Sequence, residues 1–218
     1  MRPDRLAGLE KNVMAFADRK ALKEQDIGDG ETSIAGKVGC QALCVGSIET
    51  PIGALIVAAD SDGVIWAADF IDHEDRFIRL LERRFGRFTY SLSPGSVAEE
   101  ISSAMATYFT GDFEPMRRLR LQTGGTPFQQ SVWQSLRDIP SGVPTNYASL
   151  ATQLGRSNAA RAVGHANASN PFNIIVPCHR LVGANGDLTG YAGGLERKRW
   201  LLDHEARHAG SGDPSLRL

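Results

Sequence analysis

The chain has 218 residues, 42% hydrophobic and 22% charged, with a formal net charge of -1. Such values are ordinary for a folded globular chain and exclude wholesale disorder. No apolar run approaches the roughly 20 residues that a membrane-crossing helix needs, and the mixed charge after Met1 has no apolar stretch like a secretory signal. The near-zero balance hides an asymmetry. Residues 117–205 carry ten Lys and Arg against five Asp and Glu, so +5 lies there and -6 elsewhere. That is either the footprint of a protein that meets an anion with one end or a chance excess. Three cysteines, Cys40, Cys44 and Cys178, cannot all pair. They are too few for a disulfide scaffold, and the expected setting is reducing and cytoplasmic.

Residues 1–40 read as a loosely attached arm. Leu9, Val13 and Phe16 have helical spacing, which Gly28, Gly30 and Gly36 then break. From Cys44 the texture is that of a meander: an extended run over 45–48, a turn over 50–53, a strand over 54–59, a turn over 61–63 and a strand over 64–70. The spacing of Phe77, Ile78, Leu80 and Leu81 predicts a helix over 73–85. Another is expected over 97–109, ended by Gly111. Residues 41–116 thus form one small α/β unit, with nothing in it that resembles chemistry.

A basic connector over 117–126, containing Gly124 and Gly125, opens a second unit that extends to 207. Thr126, Pro127 and Gln129 are start signals for a helix whose apolar stripe is Phe128, Val132, Trp133 and Leu136. Pro140 and Pro144 stop it. Thr145 is expected to cap a short helix over 147–154 ended by Gly155, and Ser157 or Asn158 to cap a third over 159–168. Two helices across a tight glycine turn form a helix-turn-helix pattern. After Asn170 and Pro171, residues 174–176 read as a short strand and 181–190 as a hairpin around Asn185 and Gly186. A last helix is expected over 195–206, and a flexible tail over 208–218.

Cys178 follows that apolar run and precedes His179. A thiol is a nucleophile only as its thiolate, and a neighbouring His and positive charge lower its pKa. The alternative is a buried structural cysteine, the commoner fate of a free thiol. Pro177 breaks regular pairing before it, and His179 with Arg180 is an odd choice for a core. On an extended chain Cys178 and His179 would face opposite ways, so a bridging water is one way to couple them. Cys40 and Cys44 have C-x3-C spacing, but two ligands do not close a zinc site, so no metal is expected. The third helix is rich in Ala and Gly with a single Arg161. Either it packs closely inside the protein or it presses into a nucleic-acid groove with Arg161 projecting. The scarcity of base-reading side chains suits contact without sequence preference. Tyr147 opens the helix pair. Tyr191, in a glycine-rich turn, is a candidate pocket-lining ring, and His204-Glu205 has the look of a solvated helix face.

Across 123–206 the chain resembles the methylated-DNA–protein-cysteine methyltransferases, which repair 6-O-alkylguanine directly. The motifs run in the family's order: Thr126-Pro-Phe-Gln-Gln-Ser-Val-Trp133, Asn158-Ala-Ala-Arg-Ala-Val-Gly164, Asn170-Pro171, Ile175-Val-Pro-Cys-His-Arg-Leu-Val-Gly183, and Thr189-Gly-Tyr-Ala-Gly-Gly-Leu-Glu-Arg-Lys-Arg-Trp-Leu-Leu202. A weaker resemblance covers 44–111. The implied fold is α+β, with a small ribonuclease-H-like α/β domain before a mostly helical, winged-helix-like domain that holds the helix-turn-helix. The resemblance implies that Cys178 accepts the alkyl group, once and irreversibly, from 6-O-methylguanine and also 4-O-methylthymine. His179 would take the thiol proton through a water, Glu205 would orient His179, and Asn170 would fix the local backbone. Tyr147 would donate a proton toward the leaving base and crowd the target phosphate. Arg161 would fill the stack vacated by a flipped nucleotide, with Ala159, Ala160 and Ala162 against the minor groove. Val182, Tyr191 and Ala192 would line the base pocket. The implied partner is double-stranded DNA met by a monomer, with no cofactor and no membrane.

Three positions depart from the family's pattern: Asn173 where many members have Pro, Ala192 where some have Ser, and His165 where Gly is frequent. They bear on pocket shape and not on acceptor chemistry. The zinc-binding regulatory branch does not fit, because Cys40 and Cys44 lack a second ligand pair; the branch without an acceptor thiol is excluded by Cys178. Two other readings of the residues compete: a non-catalytic DNA-binding regulator, and a thiol hydrolase that turns over on Cys178 and His179.

Overall fold

The computed structural model describes residues 41–85 and 90–209. The proposed arm over 1–40, Cys40 within it, and the tail beyond 209 lie outside them. The first half is a four-stranded sheet of β1 (Gln41–Ile48), β2 (Leu55–Ala59), β3 (Ile65–Phe70) and β4 (Tyr90–Pro94), in the order β3-β2-β1-β4. Neighbours β1–β2 and β2–β3 are antiparallel, and β4 joins β1 in parallel. The turns between them follow the expected chemistry: Gly53 N–H donates to the Thr50 carbonyl at 3.1 Å, and Gly63 N–H to that of Asp60 at 3.0 Å.

Side-chain alternation divides β2 between two cores. Ile56 and Ala58 face helix α1 (Glu74–Phe85), packing with Phe77 and Leu81; Leu55 and Val57 face the other way. On that second face α2 (Glu99–Phe109) supplies Ile101, Met105 and Tyr108. The same apolar cluster continues into the second half, through Val132, Trp133 and Leu136 of α4 (Pro127–Asp138), Val163 of α6 (Ala160–Ala168) and Leu201 of α7 (Leu195–His208). The core therefore runs across residue 117.

The start of α4 is as expected. The Thr126 side chain accepts from Gln129 N–H at 3.2 Å while the Gln129 side chain accepts from Thr126 N–H at 2.9 Å, a closed capping box. Trp133 Nε1–H donates to the Ala166 carbonyl at 2.8 Å, which ties α4 to α6 without leaving a buried indole donor unpaired.

Several expectations need correction. The cap of α5 (Tyr147–Gln153) is Asn146, whose side chain accepts from Ser149 N–H at 2.8 Å. Thr145 instead lies in a two-residue strand, β5 (Thr145–Asn146), parallel to β6 (Leu181–Val182). Neither Ser157 nor Asn158 caps α6: Ala159 occupies that place, with no side-chain bond. Residues 174–176 form a turn, and 183–187 close a short loop through Gly183 N–H donating to the Asp187 carbonyl at 2.7 Å, where a hairpin was expected. Strand β4 and the short α3 (Glu114–Arg118) carried too few residues to announce themselves.

Candidate active site

The segment around Cys178 folds under constraints that its sequence only partly declares. Ile174 sits at φ 69, left-handed and the sole described non-glycine residue with positive φ. For a β-branched residue this costs of order 1–3 kcal/mol, and only an over-determined surround sustains it. Asn170 supplies much of that surround. Its Nδ2 donates to the carbonyls of Val176 at 3.0 Å and Phe172 at 3.4 Å, and its Oδ1 accepts from Phe172 N–H at 3.0 Å. Pro177, at φ -78 and ψ 63, lies in an inverse γ-turn closed by Cys178 N–H donating to the Val176 carbonyl at 2.7 Å. Residues Cys178–Arg180 then form a single 3-10 turn. The chain here is not extended, so the expectation that Cys178 and His179 face opposite ways has no backbone to rest on.

The sheet holds this loop from the other side. Ala68 N–H of β3 donates to the Pro171 carbonyl at 2.8 Å, and Asn173 N–H donates to the Ala68 carbonyl at 2.9 Å. The loop that carries Cys178 is in effect a further rung on the edge of β3. The half without chemistry thus positions the half with it. Asp69 of β3 is fully buried and pairs with Arg76 of α1. Arg76 also donates to the carbonyls of Ala168 at 3.1 Å and Asn170 at 2.9 Å, closing the C-terminal end of α6.

Glu205 is the hub. Its Oε1 accepts from His179 Nε2 at 2.9 Å, Tyr108 Oη at 2.9 Å and Arg180 Nη2 at 2.8 Å. Its Oε2 accepts from Arg180 Nε at 2.8 Å and Gly142 N–H at 3.1 Å. Burial alone would raise this carboxyl, but His179 and the Arg180 guanidinium outweigh it and hold Glu205 well below the usual carboxylate range. His204-Glu205 is therefore no solvated face: both side chains are buried, and His204 Nε2 bonds the Tyr108 carbonyl at 2.9 Å.

A carboxylate on Nε2 fixes the His179 tautomer with its proton on that nitrogen, leaving the Nδ1 lone pair as acceptor. Nδ1 is buried and has no hydrogen-bond partner among the described residues. Burial pushes the imidazole pKa down against the pull of Glu205, so His179 rests neutral and able to take a proton. Cys178 is 2% exposed. Burial raises its thiol, against the Asn170 side chain and the charges of Arg76 and Lys198, which favour the thiolate. The lowering that a neighbouring His and positive charge lead one to expect is outweighed by desolvation, and the sulfur keeps its proton at neutral pH.

Cys178, His179, Glu205 and Asn170 come together as the sequence suggested. The Tyr191 ring lies edge-on to His179 at 6.2 Å, with its hydroxyl buried and without a hydrogen-bond partner among the described residues. Val182, two residues after the 3-10 turn, is buried, and Ala192 is half-buried. Tyr147 donates weakly to the Thr189 carbonyl at 3.5 Å. Its ring lies against Gly164, where a Cβ would stand 3.9 Å away. On α6, Arg161 and Ala162 are exposed, while Ala159 and Ala160 are half-buried.

Sequence reasoning missed Tyr108, Asp69, Arg76 and Lys198, and it noted Arg180 only as unusual after an apolar run, not as a partner of Glu205. Lys198 is buried, donates to the carbonyls of Leu181 and Thr189, and is pushed down to about 8 by burial. The apolar flanks of Asp69, with Ala67 and Ala68 before it and Phe70 after, were the available sign that this carboxylate is buried.

Comparison with known proteins agrees with this geometry. Residues 127–207 match the family model described as "6-O-methylguanine DNA methyltransferase, DNA binding domain". A methylated-DNA–protein-cysteine methyltransferase of Salmonella typhimurium is 47% identical over 158 residues, spanning 72% of this chain and 92% of that protein. The crystal structure of the Mycobacterium tuberculosis O6-methylguanine methyltransferase superposes with a TM-score of 0.63 at 36% identity, covering 80% of this chain and 98% of that one. A second structure, of the same organism's OGT in complex with DNA, gives a TM-score of 0.61 and covers 77% and 94%.

Proposed function

The chain belongs to the methylated-DNA–protein-cysteine methyltransferases, and from that membership we propose that it repairs duplex DNA by taking the alkyl group of 6-O-methylguanine, or 4-O-methylthymine, onto Cys178. The carrying observation is the buried series Glu205–His179 with a free Nδ1 acceptor. A neutral imidazole so oriented can accept the thiol proton through one water as the sulfur attacks.

The step balances. The Cys178 Sγ–C bond forms, the O6–C bond of the base breaks, and its electrons return to the base. The thiol proton passes to His179, the base takes up a proton from Tyr147, and the proton on His179 returns through solvent to Tyr147. In sum, one thiol proton is exchanged for one alkyl group. Water does not readily cleave the thioether so formed, because a thiolate is a poor leaving group, so each chain acts once.

A sulfur inside a protein cannot reach an atom inside a stacked duplex, so the target nucleotide must leave the stack. Helix α6 suits that task. Its small residues allow close approach to a minor groove, and the exposed Arg161 can enter the vacated stack. Ala159, Ala160 and Ala162 lie beside it. Val182, Tyr191 and Ala192 then line the pocket that receives the base, and the protein acts as a monomer without cofactor.

The test uses duplex DNA carrying label on the alkyl group of 6-O-methylguanine. At most one label per chain is expected, and Cys178→Ala should take up none. Repeated turnover would favour a hydrolase. Uptake by the Ala variant would overturn the acceptor assignment.

A further inference from the structure

Beyond the acceptor and its proton relay, a polar chain reaches Cys178 from the sheet. The sulfur donates to Asn173 Oδ1 at 3.8 Å, a normal span for a thiol. Asn173 is fully buried and its Nδ2 donates to Asp69 Oδ1. Because a carboxylate accepts only, this contact fixes the amide: the nitrogen faces Asp69, and the oxygen faces the thiol. Asp69 is immobilised in turn by Phe70 N–H at 2.9 Å and by Arg76. The His179 Nδ1, by contrast, has no hydrogen-bond partner among the described residues, the sulfur included.

We propose that Asn173, oriented by Asp69, is a positioning residue that parks the Cys178 proton away from His179 and keeps the acceptor sulfur unreactive until a base arrives. This rests on the alkyl-acceptor reading of Cys178 and deepens it. The sulfur lies between two asparagines of opposite effect. Asn170 favours the anionic sulfur, whereas an acceptor such as Asn173 Oδ1 can bond only the protonated form. A single-use protein gains from such restraint, since any stray soluble electrophile that met a free thiolate would spend it. The other charged or titratable groups around the sulfur are Arg76 from α1, Asp69 from β3, Lys198 from α7, Tyr191 from the glycine turn and His179 from its own turn. None of them offers the thiol proton an acceptor oxygen fixed by a carboxylate, as Asn173 does.

The experiment measures iodoacetamide modification of the full-length protein against pH, read on the Cys178 peptide by mass spectrometry so that Cys40 and Cys44 do not interfere. Asn173→Ala should lower the apparent pKa of that site by about one unit, a roughly tenfold larger thiolate fraction below it. Asp69→Asn, which loosens the amide, should move it the same way by less. Asn173→Ser, which keeps a polar group but withdraws the carbonyl oxygen, guards against loss of folding in the Ala variant. A pKa that stays or rises in the folded Ala and Ser variants overturns the proposal. Label transfer from methylated duplex is scored separately on the parent protein, so failure of the acceptor reading would be seen on its own.

Discussion

Residues 170–180 are buried without a break, whereas helix α6, a few residues earlier, turns Arg161, Ala162, His165 and Ala168 to the outside. The first region is over-determined. Asp69 of β3, Glu205 of α7 and the loop's own Asn170 satisfy a strained loop, and a left-handed Ile174 is held in place. The second is nearly featureless, with small side chains and one long cation. On the proposed function, the difference follows from what each region would have to do. Bond-making needs atoms fixed to a fraction of an ångström. Contact with DNA of any sequence needs a smooth surface with few directional groups.

Substitutions should separate the two regions. Glu205→Gln is expected to have the largest combined effect. It removes the charge that orients His179 and leaves Arg180 buried beside a neutral amide. Breaking such a buried pair costs about 3–5 kcal/mol. Chemical denaturation should show that loss, and single-turnover transfer should slow by about a hundredfold or more at temperatures where the fold persists. If both properties held, the hub would be ornamental.

Acid should reveal the same hub in the unaltered protein. Glu205 is depressed in the fold, so its contribution is complete above the ordinary carboxylate value of 4.5 and fades as pH falls below it. His179 is held neutral, so below its ordinary 6.5 the unfolded chain takes a proton that the native one refuses. Both act in one direction. Melting temperature should fall from mildly acidic pH downward, and Glu205→Gln should flatten the part of that fall below 4.5. An unchanged slope in the variant would assign acid sensitivity elsewhere.

Arg161→Ala probes the exposed helix. Repair in duplex should drop about tenfold or more, attack on free 6-O-benzylguanine should drop less, and melting temperature should stay where it was. Equal losses on both substrates would contradict stack filling. The smallest effect is expected at Thr126→Ala, which opens the capping box of α4 and costs about 1 kcal/mol, with transfer chemistry intact.

Much of this was legible in the sequence where local rules govern. The turns at Gly53 and Gly63, the helices α1, α2, α4 and α7 and the Thr126 box depend on neighbours a few residues apart, and the structure contains them. The motif around Cys178 was recognisable as a whole. What could not be read were relations across the fold. Tyr108 reaches Glu205 from 97 residues away and Asp69 reaches Asn173 from 104. No spacing within a segment encodes that. The strand expected at 174–176 shows the converse, an apolar β-branched run whose propensity was overridden by the Asn170 side chain. The resting charge of Cys178 was not legible for a related reason: a neighbouring His and positive charge lead one to expect a lowered thiol, but burial set by the whole core decides it.

The most direct test of the central claim is mass spectrometry of the intact protein after exposure to duplex DNA carrying 6-O-methylguanine. The account predicts a gain of one CH2 per chain, carried by the peptide that holds Cys178, with no further gain on longer exposure. An unmodified Cys178 beside repaired DNA, or the added carbon on another residue, would contradict it.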